Sequence, residues 1–169
     1  TLLESELFGR ERGAYTDAHT ARQGLIETAG DGTLFLDEIG HITEKLQMAL
    51  LKVIEQRTFR RVGGNEEKTS RARFIAATSR NLEEAIGAGE FRSDLYYRLN
   101  VFPVALPELR ERDVDVVVLA YYYALEYAED YGHPVSGLTG EAAIMLLDHA
   151  WPGNVRELEN IVERAVVFH

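Results

Sequence analysis

Asp37 and Glu38 are the residues whose type and place point most directly to chemistry. They close the run Leu34, Phe35, Leu36 inside Gly32-Thr-Leu-Phe-Leu-Asp-Glu-Ile-Gly40. A short apolar run bounded by glycine suits a strand buried on both faces, as in a parallel sheet covered by helices. Ligands of open α/β sheets bind outside the carboxyl ends of the strands. Unpaired carboxylates are costly to bury, so this pair lies where a magnesium ion and a phosphate could be met. An ordinary acidic turn after a strand has the same local pattern, and these residues alone leave both readings open.

Other polar groups are less specific. Arg73 to Thr78 reads as a second buried strand, again ending in polar residues, Thr78 and Ser79. The histidines at 19, 41, 133, 149 and 169 have no metal-ligand spacing. Tyr121, Tyr122, Tyr123, Tyr127 and Tyr131 could stack on bases, but their helical spacing and the acidic charge favour packing between helices. Arg57, Arg60, Arg61, Arg71 and Arg73 form a basic cluster.

The elements that must position these groups follow from periodicity. Leu2, Leu3, Leu7 and Phe8 suit the end of an amphipathic helix stopped by Gly9. From Gly9 to Gly24 the chain is polar, with Tyr15 as its one large apolar group, and such a loop suggests a partner contact; a solvated loop whose Tyr15 folds back is the alternative. Leu46, Ala49, Leu50, Val53 and Ile54 predict a helix over 43–56 with Thr43 as N-cap. Arg57 to Gly64 reads as a basic turn and 82–87 as a short helix. Val101 to Leu106 reads as a third strand, at an edge because of Pro103. After Pro107 the pattern turns all-helical. Val114, Val117, Val118, Tyr121, Leu125 and Ala128 mark a long helix ended by Gly132 and Pro134, and a second helix is predicted over 139–150. After a turn at Trp151-Pro-Gly-Asn154, Val155, Leu158, Ile161, Val162 and Ala165 line a last one.

Composition narrows the function classes. The chain has 169 residues, 46% hydrophobic and 27% charged, enough for a core and a small second domain. A net charge of −10 disfavours nucleic-acid binding except through a local patch or a part not present here. The absence of cysteine excludes disulfides and thiolate metal sites and fits a reducing compartment. No stretch reads as a membrane span or signal peptide. Thr1 opens directly into a helical pattern without an initiator Met, as a fragment would.

Several stretches, in one order, resemble the AAA+ ATPase domain of bacterial enhancer-binding proteins, the activators dependent on sigma-54. They are Glu6-Leu-Phe-Gly9, Gly13-Ala-Tyr-Thr-Asp-Ala18, Gly32 to Gly40, Phe59-Arg-Arg-Val-Gly-Gly64, Ile75-Ala-Ala-Thr78, Phe91-Arg-Ser-Asp-Leu-Tyr-Tyr-Arg-Leu-Asn-Val101, Leu109-Arg-Glu-Arg112 and Trp151-Pro-Gly-Asn-Val-Arg-Glu-Leu158. The resemblance implies an α/β fold: a partial AAA+ P-loop core with a parallel sheet over 1–108, then a truncated all-α lid over 109–169.

It also implies roles. Asp37 and Glu38 resemble the Walker B pair, Asp37 holding Mg2+ and Glu38 polarising the attacking water of ATP hydrolysis. Thr78 falls at sensor I, with Ser79 where the family usually has Asn. Arg92 and Arg98 fall at the arginine-finger positions, which act on nucleotide bound by the neighbouring subunit; a surface ion pair with Asp94 or Glu90 is the alternative. Such a finger is worth on the order of 10³ to 10⁵ in rate. Arg156 resembles sensor II, a helix-surface arginine near Glu159 being the alternative. Gly13, Ala14, Tyr15, Thr16, Asp17 and Ala18 match the loop that contacts sigma-54, and Glu11 stands where the family couples that loop. Tyr15 replaces Phe and Asp17 replaces the second Gly. Asp takes positive φ only at a penalty and adds charge at the loop tip, so altered sigma-54 contact is expected. The family's second pore-facing insertion falls near Arg57 to Arg61.

The implied protein is a cytoplasmic bacterial activator that assembles as a ring, a hexamer. It would hydrolyse ATP to remodel sigma-54 RNA polymerase and bind DNA through a domain not present in this chain. The second expectation is a regulatory oligomerisation or binding module that no longer engages sigma-54. No Gly-Lys-Ser/Thr occurs, so the phosphate-cradling P-loop is absent, and the family places it before Glu6. The chain alone is therefore expected to bind ATP weakly or not at all and to lack ATPase activity.

Overall fold

The computed structural model describes residues 2–14 and 19–168. The chain divides into two units, Thr1–Pro103 and Val104–His169.

In the first unit, α1 (Leu2–Phe8) buries Leu7 and Phe8, and Gly9 leaves it at φ 78°. Arg10 and Arg22 exchange both backbone hydrogen bonds at 2.9 Å, so the intervening loop leaves and returns through a narrow neck. The sequence reading missed α2 (Leu25–Ala29), whose 5 residues are too few to show a period. β1 (Thr33–Leu36) runs through Asp37 and Glu38 into a 3-10 turn at Ile39–His41. α3 (Glu44–Gln56) is capped as expected: the Thr43 hydroxyl accepts from the Leu46 amide at 3.4 Å.

Instead of a simple basic turn, a small antiparallel hairpin follows, β2 (Thr58–Phe59) with β3 (Lys68–Thr69). β4 (Arg73–Ala76) pairs in parallel with β1, Leu34 opposite Phe74 and Leu36 opposite Ala76. α4 (Leu82–Gly87) lies where expected, capped by Asn81. α5 (Ser93–Leu99) was not anticipated; only Leu95 of its residues is buried, too little to mark an apolar face.

Two expectations are corrected. β1 and β4 are buried on one face only: Leu34, Leu36, Phe74 and Ala76 join the core, whereas Phe35 is 58% and Ile75 43% exposed. Alternate residues of a strand face opposite ways, and no described element covers the second face. Residues 101–106 form no strand, with Phe102 90% exposed. No neighbouring strand among the described residues offers them a ladder, and Pro103 has no N–H to donate.

The second unit is all-helical. After a 3-10 turn at Leu109–Glu111 come α6 (Asp115–Tyr131), α7 (Gly140–Asp148) and α8 (Asn154–Val167). Gly132 ends α6 at φ 68°, and the Thr139 hydroxyl caps α7 by accepting from Ala142 at 3.1 Å. Leu109, Val116, Ala120, Ala124, Trp151, Leu158, Val162 and Val166 form the core. Two of the tyrosines join helix to helix, Tyr127 and Tyr131 donating to Glu159 and Glu163 of α8 at 3.2 and 2.7 Å, while Tyr123 and Tyr127 stack at 6.4 Å within α6 itself. Burial and the neighbouring Glu159 push the Tyr127 phenol up to about 12. No helix among the described residues is long and apolar enough to cross a membrane.

Candidate functional site

The parallel pairing of β1 and β4 brings two polar strand ends side by side. Their ladder continues past the strands, Ala77 N–H to Leu36 O at 2.8 Å and Ile39 N–H to Ala77 O at 3.1 Å. Asp37 and Glu38 therefore stand beside Thr78 and Ser79, all at the carboxyl ends. Both acids are exposed. Asp37 Oδ1 accepts from the Glu38 amide at 3.0 Å, and Glu38 is held at φ 52°, a left-handed conformation that costs a non-glycine residue about 1–2 kcal/mol.

Ser79 meets Glu38 rather than open space. Its hydroxyl lies 2.9 and 3.1 Å from the two carboxylate oxygens, donating to them, and its amide approaches at 3.4 Å. His41 Nε2 is 4.0 Å from the same carboxylate. Thr78 Oγ1 accepts from the Arg80 amide at 3.1 Å. A Cβ at Gly40 would stand 2.6 Å from that Thr78 oxygen, so only glycine lets the two strand ends approach this closely.

Arg80 was not singled out from sequence. Its guanidinium donates to the Gly40 carbonyl at 3.2 Å and pairs with the Glu90 carboxylate. Arg92 precedes α5, its guanidinium forked onto Asp94 at 3.0 and 2.7 Å and 3.7 Å from Glu44. The hydrogen bonds and the charge of Asp94 raise the pKa of Arg92 further, and the same pair lowers that of Asp94. Arg98, in the last turn of α5, is exposed and has no ion pair among the described residues. Arg156 is exposed in the first turn of α8, in the second unit, and does not pair with Glu159.

A second constellation lies at the loop neck. Arg61 donates a fork to Glu27 at 2.7 Å on both arms and reaches Glu11 at 3.0 Å. These bonds lower the pKa of Glu27 and raise that of Arg61. The Glu11 amide donates to Val62 O at 3.0 Å, and Gly63, at φ 76°, packs on Ala14 so closely that a Cβ would lie 2.8 Å from the Ala14 Cα. Gly13 stands at φ 81°. Tyr15, Thr16, Asp17 and Ala18 lie outside the described residues. Much of the basic cluster is engaged elsewhere, Arg57 with Ala72 O, Arg60 with Glu67 and Arg71 with Asp31.

Gln47 was also missed. It is 1% exposed in α3, and its signal was a polar side chain on a helix face whose i+3 neighbour, Leu50, is core. For Glu27 and Arg61, 34 residues apart, no local signal exists.

The profile of the Sigma-54 interaction domain matches residues 1–105, and that of the AAA+ ATPase lid domain matches 110–169. The chain belongs to the sigma-54 interaction domain family. It is 52% identical over 168 residues to the transcriptional regulatory protein ZraR of Klebsiella oxytoca, covering 99% of this chain and 38% of the relative. It is 49% identical over 167 residues to the nitrogen fixation protein AnfA of Azotobacter vinelandii, covering 99% and 31%. The crystal structure of NtrX from Brucella abortus superposes with TM-score 0.89 at 37% identity over 98% of this chain and 37% of that one. NtrX has also been solved in complex with ADP and with ATP. The chain thus spans about a third of the length of these relatives. Its mixed α/β fold with a small parallel sheet is that of the sigma-54 activators.

Proposed function

We propose that this chain is part of the ATP-hydrolysing module of a transcription activator that remodels sigma-54 RNA polymerase. The observation that carries the reading is the meeting of Asp37 and Glu38 with Thr78 and Ser79 at adjacent parallel strand ends. The capture of ATP and ADP by NtrX supports nucleotide as the ligand.

The donor set suits magnesium. Hard carboxylate oxygens are its usual protein ligands, one or two per ion, with water and phosphate completing the shell. Among the described residues no group of three or more acids or histidines makes a protein-only cage. Bound at Asp37, the ion would neutralise phosphate charge. Glu38 orients the attacking water, its carboxylate steadied by Ser79. Thr78 responds to the γ-phosphate. Arg92 and Arg98 serve a nucleotide on the adjoining subunit of a ring, where planar guanidinium can hold phosphate in two places. Arg156 reads the nucleotide from the lid. Residues 13–18 contact sigma-54, and Glu11 couples that loop to the body through Arg61.

The test uses the full-length protein. Glu38→Gln should lower ATP turnover by about 10²- to 10⁴-fold while ATP binding persists. Wild type held with a transition-state analogue of ATP should bind sigma-54. Unchanged turnover in the variant would sink the assignment of Glu38.

A further inference from the structure

Gln47 is a buried polar side chain with both amide hydrogens and its oxygen engaged. Its amide nitrogen donates to Ile42 O at 3.1 Å and Glu90 O at 3.0 Å, and its amide oxygen accepts from the Arg92 N–H at 2.8 Å. The orientation is set by chemistry: with oxygen and nitrogen exchanged, two donors would face each other at Arg92 and two oxygens at each carbonyl. One side chain of α3 therefore ties the turn after the acidic strand end to the segment that opens α5.

That segment is also held by Arg80. Arg80 directly follows Thr78 and Ser79, holds the Glu90 carboxylate and reaches the Gly40 carbonyl. Phe91, 4% exposed, anchors the middle of the segment in the core. Arg92 flanks α5 with no side-chain cap. The Arg92 carbonyl accepts from the Tyr96 amide at 3.1 Å and the preceding amides of Glu90 and Phe91 donate to Ala85 O. The Arg92 amide itself is held by Gln47, and the partly exposed guanidinium can leave Asp94 without moving that backbone.

We propose that Gln47 is a positioning residue for Arg92: it fixes the backbone from which the guanidinium is presented to a neighbouring subunit's nucleotide. The inference rests on the proposed trans role of Arg92. A guanidinium at the end of a long side chain reaches a phosphate in one geometry only when its own backbone is held, and a misplacement of about 1 Å can cost about 10²-fold in rate. A core role alone would make Gln47 a matter of stability and leave that geometry untouched.

The experiment uses the full-length protein with Gln47→Met, which keeps the volume and removes the hydrogen bonds. ATP affinity should stay within about twofold while turnover falls by about 10²-fold. Mixing with Glu38→Gln subunits should then raise turnover above that of either variant alone, because those subunits hydrolyse little themselves yet lend an intact Arg92 to the neighbouring site. An Arg92→Ala protein mixed in the same way is the control; if it is not restored, the trans role of Arg92 fails. If Arg92→Ala is restored and Gln47→Met is not, the present proposal is overturned. Amide exchange in the wild type guards against a variant that does not fold. The Arg92 amide must be protected like a helix amide, and exchange at the rate of an open loop would overturn the proposal.

Discussion

The strand-end site and the loop neck are both polar, yet they are built in opposite ways. At the strand ends, Asp37, Glu38, Thr78 and Ser79 come from two short segments, stand in or near solvent and depend on one parallel strand pair. At the neck, Gly9 and Glu11, Gly24 and Glu27, and Arg61 come from three segments, pack tightly and are partly shielded, Arg61 being 15% and Glu27 13% exposed. Groups that meet a ligand must stay accessible. Groups that hold a loop relative to the body need to be fixed, so they are half-shielded and paired. Substitution should therefore touch chemistry at the first and stability at the second.

The largest stability effect should come from Gly24→Ala. Its Cβ would meet Gly9 backbone at 2.2 Å and the Leu7 carbonyl at 2.4 Å, and main chain cannot swing aside. A loss of about 3 kcal/mol or more is expected by denaturant unfolding of the full-length protein. Gly40→Ala, at the strand ends, meets the Thr78 hydroxyl at 2.6 Å and the Arg80 Cβ at 3.0 Å. Thr78 can rotate, so the stability cost should be smaller while ATP turnover falls. Equal costs at the two glycines would break the contrast.

Arg61→Ala comes next. It leaves Glu27 shielded and without its fork, at a cost of about 2 kcal/mol, and it frees the Glu11 carboxylate, leaving that residue tied to the body through its amide on Val62 O. Sigma-54 binding should weaken while ATP affinity holds. The pH dependence has a definite sign. The folded pKa of Glu27 lies below its usual 4.5. Its ionised form therefore stabilises the fold above 4.5, and the contribution is lost as pH falls through the lower folded value. Removing that charge with Glu27→Gln should give a stability deficit at neutral pH that narrows on acidification below 4.5. A deficit independent of pH would show that shape, not charge, holds the neck.

The same contrast decides what could be read in advance. Leu34 to Glu38 and Arg73 to Ser79 announce strands and polar ends because the pattern is local, and the helices 44–56 and 115–131 show in their periodicity. The one-sided burial of Phe35 and Ile75 was hidden, since an apolar run does not tell what covers it. The irregular chain at 101–106 was hidden too: β propensity without a partner strand makes no ladder. Glu27, Arg61 and Gln47 were not legible because their meaning lies in partners 34, 43 and 45 residues away. Ser79 was legible as a departure from the family pattern, and the structure shows its resting contact, Glu38.

That contact supplies the smallest expected effect on stability. Ser79 is exposed and Glu38 about half exposed, so Ser79→Ala should change unfolding free energy by less than about 0.5 kcal/mol. If the strand ends serve chemistry, turnover should nevertheless fall, because Glu38 loses the donor that fixes its carboxylate while keeping its own charge. Ser79→Asn retains a donor on a longer arm and should turn over faster than Ser79→Ala at equal stability. An alanine variant with lower stability and normal turnover would invert the contrast and place Ser79 with the scaffold.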